Sequence, residues 1–91
     1  MYKGVVMEKP EFYRDSLYER LMRNKEVLAA LEEINYKLRY AISREMTYIN
    51  YANNNNIRLM EQIIFVLKYM GFNVYDNHAH DENFSYIIIY L

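Results

Sequence analysis

The sequence predicts an α+β fold: two or three helices, one of them long, packed against a small antiparallel sheet that contains a C-terminal β-hairpin. Three observations carry that prediction. Apolar residues recur at three- and four-residue steps from Leu17 to Ile49, the period of one helix face. A second stretch, Ile57 to Met70, is apolar on most sides and is followed by Gly71. Residues 72–91 then switch to β-formers on either side of a polar segment, the pattern of two strands and their connection.

Taken in chain order, Tyr2 to Met7 is a short run with Tyr and Val that favours a strand. Lys9-Pro10-Glu11 opens a helix, because proline fits the first helical position and Glu11 and Asp15 suit the positive end of the helix dipole. From there to Ala52 neither Gly nor Pro intervenes, so helix over residues 10–52 is the simplest reading. Leu17, Leu21, Leu28, Leu31, Leu38, Ile42 and Ile49 form its apolar stripe. Glu19 with Arg23 and Glu33 with Lys37 lie four apart in the favourable order and mark the solvated side. Asn53-Asn54-Asn55-Asn56 ends the element and offers a cap to the next one. The helix from Ile57 keeps only a narrow polar stripe of Arg58, Glu61, Gln62 and Lys68, which assigns it to the interior. Gly71 can take the positive φ of a helix-ending turn. Phe72 to Asn77 and Phe84 to Leu91 read as the hairpin strands, the second with Ile87 and Ile89 on one face and Tyr86, Ile88 and Tyr90 on the other.

An unbroken helix over residues 10–52 would be roughly 64 Å long at 1.5 Å per residue. A compact globule of this chain length has a radius of gyration of only about 12 Å, so such a helix would overhang its own domain. Either it breaks near Arg23-Asn24-Lys25, with Asn24 capping the second piece, or a partner covers what protrudes. In heptad register Leu21, Leu28, Asn35, Ile42 and Ile49 share one seam position, and a seam asparagine can set the register of a dimer. Self-association through this seam, as a homodimer, is therefore an expectation.

The 91 residues suit a single domain, residues 1–91. There is no Cys, which removes disulfide and thiolate chemistry and fits a reducing compartment. No stretch approaches the roughly 20 apolar residues that span a bilayer, and the N-terminal apolar run is too short for a signal peptide. A cytoplasmic protein without a membrane partner is expected. Eleven Lys plus Arg against twelve Asp plus Glu give a net charge of −1, which argues against both a nucleic-acid coat and a DNA mimic.

The unusual entry in the composition is tyrosine, at 11 residues, although an AT-rich coding sequence also yields excess Tyr, Asn and Ile. On the long helix Tyr36, Tyr40, Tyr48 and Tyr51 fall opposite the apolar stripe, so one core cannot hold both sets. Tyrosine gives large, rigid, amphipathic contact area and is enriched at interfaces, which makes these four the candidate contact residues. The alternative is that the sheet or the first helix covers them.

His78 and His80 lie two apart within Asp76-Asn77-His78-Ala79-His80-Asp81-Glu82 and could offer two imidazoles to a divalent metal. A polar hairpin loop explains the same residues more simply, so no metal and no cofactor is assigned. There is no Gly-rich phosphate loop, and Ser16, Ser43 and Ser85 lie in patterned helix or strand. No enzyme is expected. The leading expectation is a protein–protein interaction module: a small regulator or inhibitor, of phage or mobile-element type, that binds or occludes a partner protein. The alternative is a winged-helix-like DNA- or RNA-binding regulator with Ile57 to Met70 as its recognition helix. Its basic residues are too few and too mixed with acids for nucleic acid to be the favoured partner.

Overall fold

A computed structural model describes residues 7–53, 56–76 and 86–91. It has three helices, α1 (Pro10–Leu21), α2 (Lys25–Ser43) and α3 (Ile57–Tyr69), and three strands, β1 (Tyr48–Ala52), β2 (Asn73–Asp76) and β3 (Tyr86–Tyr90). The chain order is α1-α2-β1-α3-β2-β3, and the sheet order is β1-β3-β2 with both pairings antiparallel. The α+β class and the C-terminal strand pair stand as expected. The expected strand at Tyr2 to Met7 and the histidines His78 and His80 lie outside the described residues, apart from Met7, which is in no element.

The long helix is divided twice. Met22 is the last residue near helical geometry in α1, and the amides of Arg23 and Asn24 turn back onto the carbonyls of Arg20 and Leu21 at 3.1 and 3.0 Å. Asn24 is extended, and its side chain accepts hydrogen bonds from the amides of Glu26 and Val27 at 2.9 and 3.3 Å, so it caps α2 as one of the two sequence readings required. The second division was not expected. α2 stops at Ser43, and Glu45 takes a φ of +57°. The amide of Met46 reaches the carbonyl of Ala41 at 2.9 Å, and that of Glu45 reaches Ile42 at 3.1 Å. These are the two bonds of a Schellman ending, formed here without glycine. Residues 48–52, read from the sequence as the end of a helix, are therefore strand β1.

α3 ends by the same device with its expected residue. Gly71 has a φ of +99°, and the amides of Phe72 and Gly71 return to Leu67 and Lys68 at 2.9 and 3.0 Å. The other end of α3 is capped by Asn56, whose side chain accepts from the amide of Leu59 at 2.9 Å.

α3 is the centre of the molecule. Met60, Ile63 and Val66 are fully buried, and Leu67 nearly so. α1, α2 and β2 each pack against α3, and α2 packs on β1. α1 and α2 do not form a hairpin with each other; each docks separately. Val27, Ile34, Leu38 and Ala41 from α2, Ile49 and Tyr51 from β1, and Ile87 and Ile89 from β3 complete one continuous core. α1 contributes only Leu21 to the buried set. It is held instead through its outer residues, with Tyr18 stacked on Tyr69 at 4.2 Å between ring centroids and Asp15 accepting a hydrogen bond from the Tyr69 hydroxyl. No helix among the described residues is long and apolar enough to cross a membrane.

Candidate interaction surface

β1 lies at one edge of the sheet, paired on one side with β3. Its burial alternates: Ile49 and Tyr51 face the core, while Tyr48, Asn50 and Ala52 face away. Directly opposite Tyr48, Asn50 and Ala52 on β3 stand Tyr90, Ile88 and Tyr86, and Tyr75 of β2 stands beside Ile88. Residues directly opposite share a face, so the outer face of the sheet gathers Tyr48, Tyr75, Tyr86 and Tyr90 around Ile88. The helices pack on the sheet through β1 and β2, and on the outer face Tyr48, Tyr75 and Tyr90 are exposed while Tyr86 and Ile88 are half-buried. Tyr48 and Tyr90 touch as a tilted pair with centroids 6.4 Å apart. A shallow depression of about 450 Å³ runs across this face, lined by Tyr48, Asn50, Ala52, Tyr86, Ile88 and Tyr90, with Lys37 at its rim.

A second depression, about 350 Å³, lies on the other side of the β1 edge, between that strand and α2. Tyr36, Tyr40, Ala41, Met46 and Ile49 form its apolar wall, and Lys37 and Asn50 line it as well. The two hollows thus meet along the free edge of β1. Tyr36 is 73% exposed and Tyr40 52%; the Arg44 guanidinium lies 5.1 Å from the Tyr40 ring centroid.

The direction of the backbone groups on that edge follows from one bond. The amide of Leu91 donates to the carbonyl of Thr47 at 2.9 Å, so Thr47, Ile49 and Tyr51 turn their polar groups toward β3. Tyr48, Asn50 and Ala52 must then turn theirs to the free edge. The Lys37 ammonium confirms this independently by donating to the Asn50 carbonyl at 3.4 Å. The same ammonium sits 5.8 Å from the Tyr51 ring centroid.

Of the four tyrosines singled out from the sequence, Tyr36, Tyr40 and Tyr48 are exposed and adjoin this edge. Tyr51 is only 3% exposed and belongs to the core. Its assignment as a contact residue rested on a helical wheel, and the strand places it on the opposite side from Tyr48. Burial raises its phenol pKa from the ordinary 10.0; a hydrogen bond with Asn53 opposes the rise and the charge of Glu33 adds to it. The proposed seam is also divided. Leu21 and Ile49 are buried in the chain's own core, and only Leu28, Asn35 and Ile42 remain as an exposed line along α2. The residues that sequence reasoning missed are Tyr75 and Ile88, together with Tyr86 and Tyr90 as members of one open face. The available signal was the alternation in Tyr48-Ile49-Asn50-Tyr51-Ala52, with the β-formers Ile49 and Tyr51 on one face and Tyr48, Asn50 and Ala52 on the other.

Comparison with family models, with curated proteins and with solved structures returns no match to this chain.

Proposed function

We propose that this chain is a non-enzymatic protein-binding module, a small regulator that acts by occupying a surface of a partner protein. The observation that carries the reading is the open outer face of the sheet, where Tyr48, Tyr75, Tyr86 and Tyr90 surround Ile88 and continue around the β1 edge to Tyr36 and Tyr40. Tyrosine-centred surfaces with aliphatic backing are where binding energy concentrates in protein interfaces. The chemistry also speaks for protein over nucleic acid. Stacked bases would suit these rings, but phosphate binding needs a basic surround, and Lys37 is the one formal charge among the residues lining the two hollows. The recognition helix of the winged alternative would be α3, six of whose residues are buried; its exposed Arg58 and Lys68 share their helix with Glu61 and Tyr69.

The test is affinity capture from an extract of the source organism with the wild-type chain, Tyr40→Ala, Tyr48→Ala and, as an exposed control elsewhere, Tyr13→Ala. A protein retained after nuclease treatment and at about 0.5 M salt, where phosphate contacts are weakened, is expected with wild type and Tyr13→Ala. Retention should fall with Tyr40→Ala and with Tyr48→Ala. Equal retention by all four chains, or loss of the captured material to nuclease, would contradict the reading. Light scattering run alongside separates a foreign partner from a second copy held through Leu28 and Ile42.

A further inference from the structure

We infer that the partner is engaged by strand addition: an extended segment with alternating apolar residues and a carboxylate pairs with the free edge of β1. This deepens the protein-binding reading and rests on it. The first support is geometric. Tyr48, Asn50 and Ala52 direct their backbone groups away from β3, and among the described residues no strand receives them. An edge of this kind is a template for another strand.

The second support is the pair of hollows flanking that edge. An added strand projects successive side chains to opposite faces. Those on the inner side would enter the groove between α2 and β1, against Tyr36, Tyr40, Met46 and Ile49. Those on the outer side would lie beside Tyr48 in the open depression. Edge and grooves together therefore specify a period-two apolar segment, with backbone pairing for affinity and the α2 groove for selection.

Charge and size select the occupant. Lys37 lines both hollows and is their only formal charge, so a carboxylate on the incoming strand is complementary to it. Its bond to the Asn50 carbonyl is long and exposed, so an incoming amide can replace it and release the ammonium to the carboxylate. A second copy of this chain is a poor occupant. Asn50 is the middle residue of β1, and a two-fold pairing of β1 with itself would bring two Lys37 ammonium groups toward the same axis, which is how edge lysines prevent self-pairing. The five residues of β1 span about 17 Å. That length suits a short extended segment of the partner.

The test is selection from a displayed library of random heptapeptides on the full chain, followed by synthesis of the selected sequence with single backbone N-methyl groups. Apolar residues two apart with an Asp or Glu are expected. N-methylation should weaken binding about tenfold at alternate positions and little at the positions between, since each such group removes one backbone hydrogen bond. Lys37→Glu should exchange the selected acid for a base, and Asn50→Pro, which removes an edge donor that β3 does not use, should abolish peptide binding. Failure to select any peptide, or selected peptides that tolerate N-methylation everywhere, would overturn strand addition. So would a dimer in light scattering that Asn50→Pro dissociates, or salt-sensitive binding of an oligothymidylate displaced by Tyr48→Ala. If capture of the whole partner is lost with Tyr48→Ala but survives Asn50→Pro, the protein-binding reading stands and strand addition fails.

Discussion

Replacing Tyr51 by alanine removes an enclosed ring, and deletions of that size in a core cost about 3–5 kcal/mol. Tyr36→Ala, at the exposed extreme, is expected to stay within about 0.5 kcal/mol of wild type. Chemical denaturation of the two variants checks the contrast, and similar losses in both would contradict the placement of β1. Among the described residues, the two tyrosines whose ionisation is shifted are both shifted upward. For Tyr51 burial is the main cause, and for Tyr69 it is the hydrogen bond its hydroxyl donates to Asp15. A phenol with a raised folded-state pKa contributes its stabilisation fully below the unfolded value of 10.0, and the contribution is lost as pH rises through the folded value. Melting temperature is thus expected to hold to about pH 9 and to fall above about pH 10. The fall should be shallower in Tyr69→Phe, which lacks the titrating hydroxyl; an identical slope would show that the Asp15 contact is absent in solution. Composition alone made tyrosine conspicuous, but it could not separate Tyr51 from Tyr48. That distinction depends on a period of two against 3.6, and on so short a segment both periods fit.

At the level of elements, the two ends of α2 contrast in how legible they were. Asn24 has the chemistry of a cap and stands where a length argument demanded a break. Its replacement by alanine should cost about 1 kcal/mol, read as a lower melting temperature. At the other end the turn is made by Glu45 at a φ of +57°, with no Gly or Pro to announce it, so helix propensity carried the sequence reading past Ser43 into β1. A left-handed non-glycine residue costs about 1–2 kcal/mol, partly offset by the greater chain entropy of glycine when unfolded. Glu45→Gly is accordingly expected to raise the melting temperature by several degrees, at about 4–8 °C per kcal/mol for a chain of this size. A lower melting temperature would mean that Glu45 makes a compensating contact. α3 and β3 were legible because their patterns are unambiguous. The first is apolar nearly all round and bounded by Asn56 and Gly71, and the second alternates Ile87 and Ile89 with Tyr86, Ile88 and Tyr90.

Across the whole molecule, converting residues 48–52 from helix to strand changes what the surface is. A helix ending at Ala52 would have carried a line of tyrosines along one rod. The strand instead supplies the third member of a sheet, sends Ile49 and Tyr51 inward, and leaves an aromatic face that meets the α2 groove at an open edge. The radius of gyration, 15.6 Å, exceeds the compact expectation of about 12 Å, in keeping with helices α1 and α2 that dock separately on α3. Sequence reasoning placed Tyr48 and Tyr51 on a helix, because the residues that pair with β1 lie between 34 and 42 positions away along the chain, as the pairing of Ala52 with Tyr86 and of Tyr48 with Tyr90 shows. Residue-resolved amide exchange along β1, free and in complex with the captured partner, tests this arrangement most directly. In the free chain the amides of Ile49 and Tyr51 should exchange slowly and those of Asn50 and Ala52 quickly, and binding should slow the latter pair. Uniform protection from Tyr48 to Ala52 in the free chain would mean that the edge is already covered, or was never an edge, and would contradict the account.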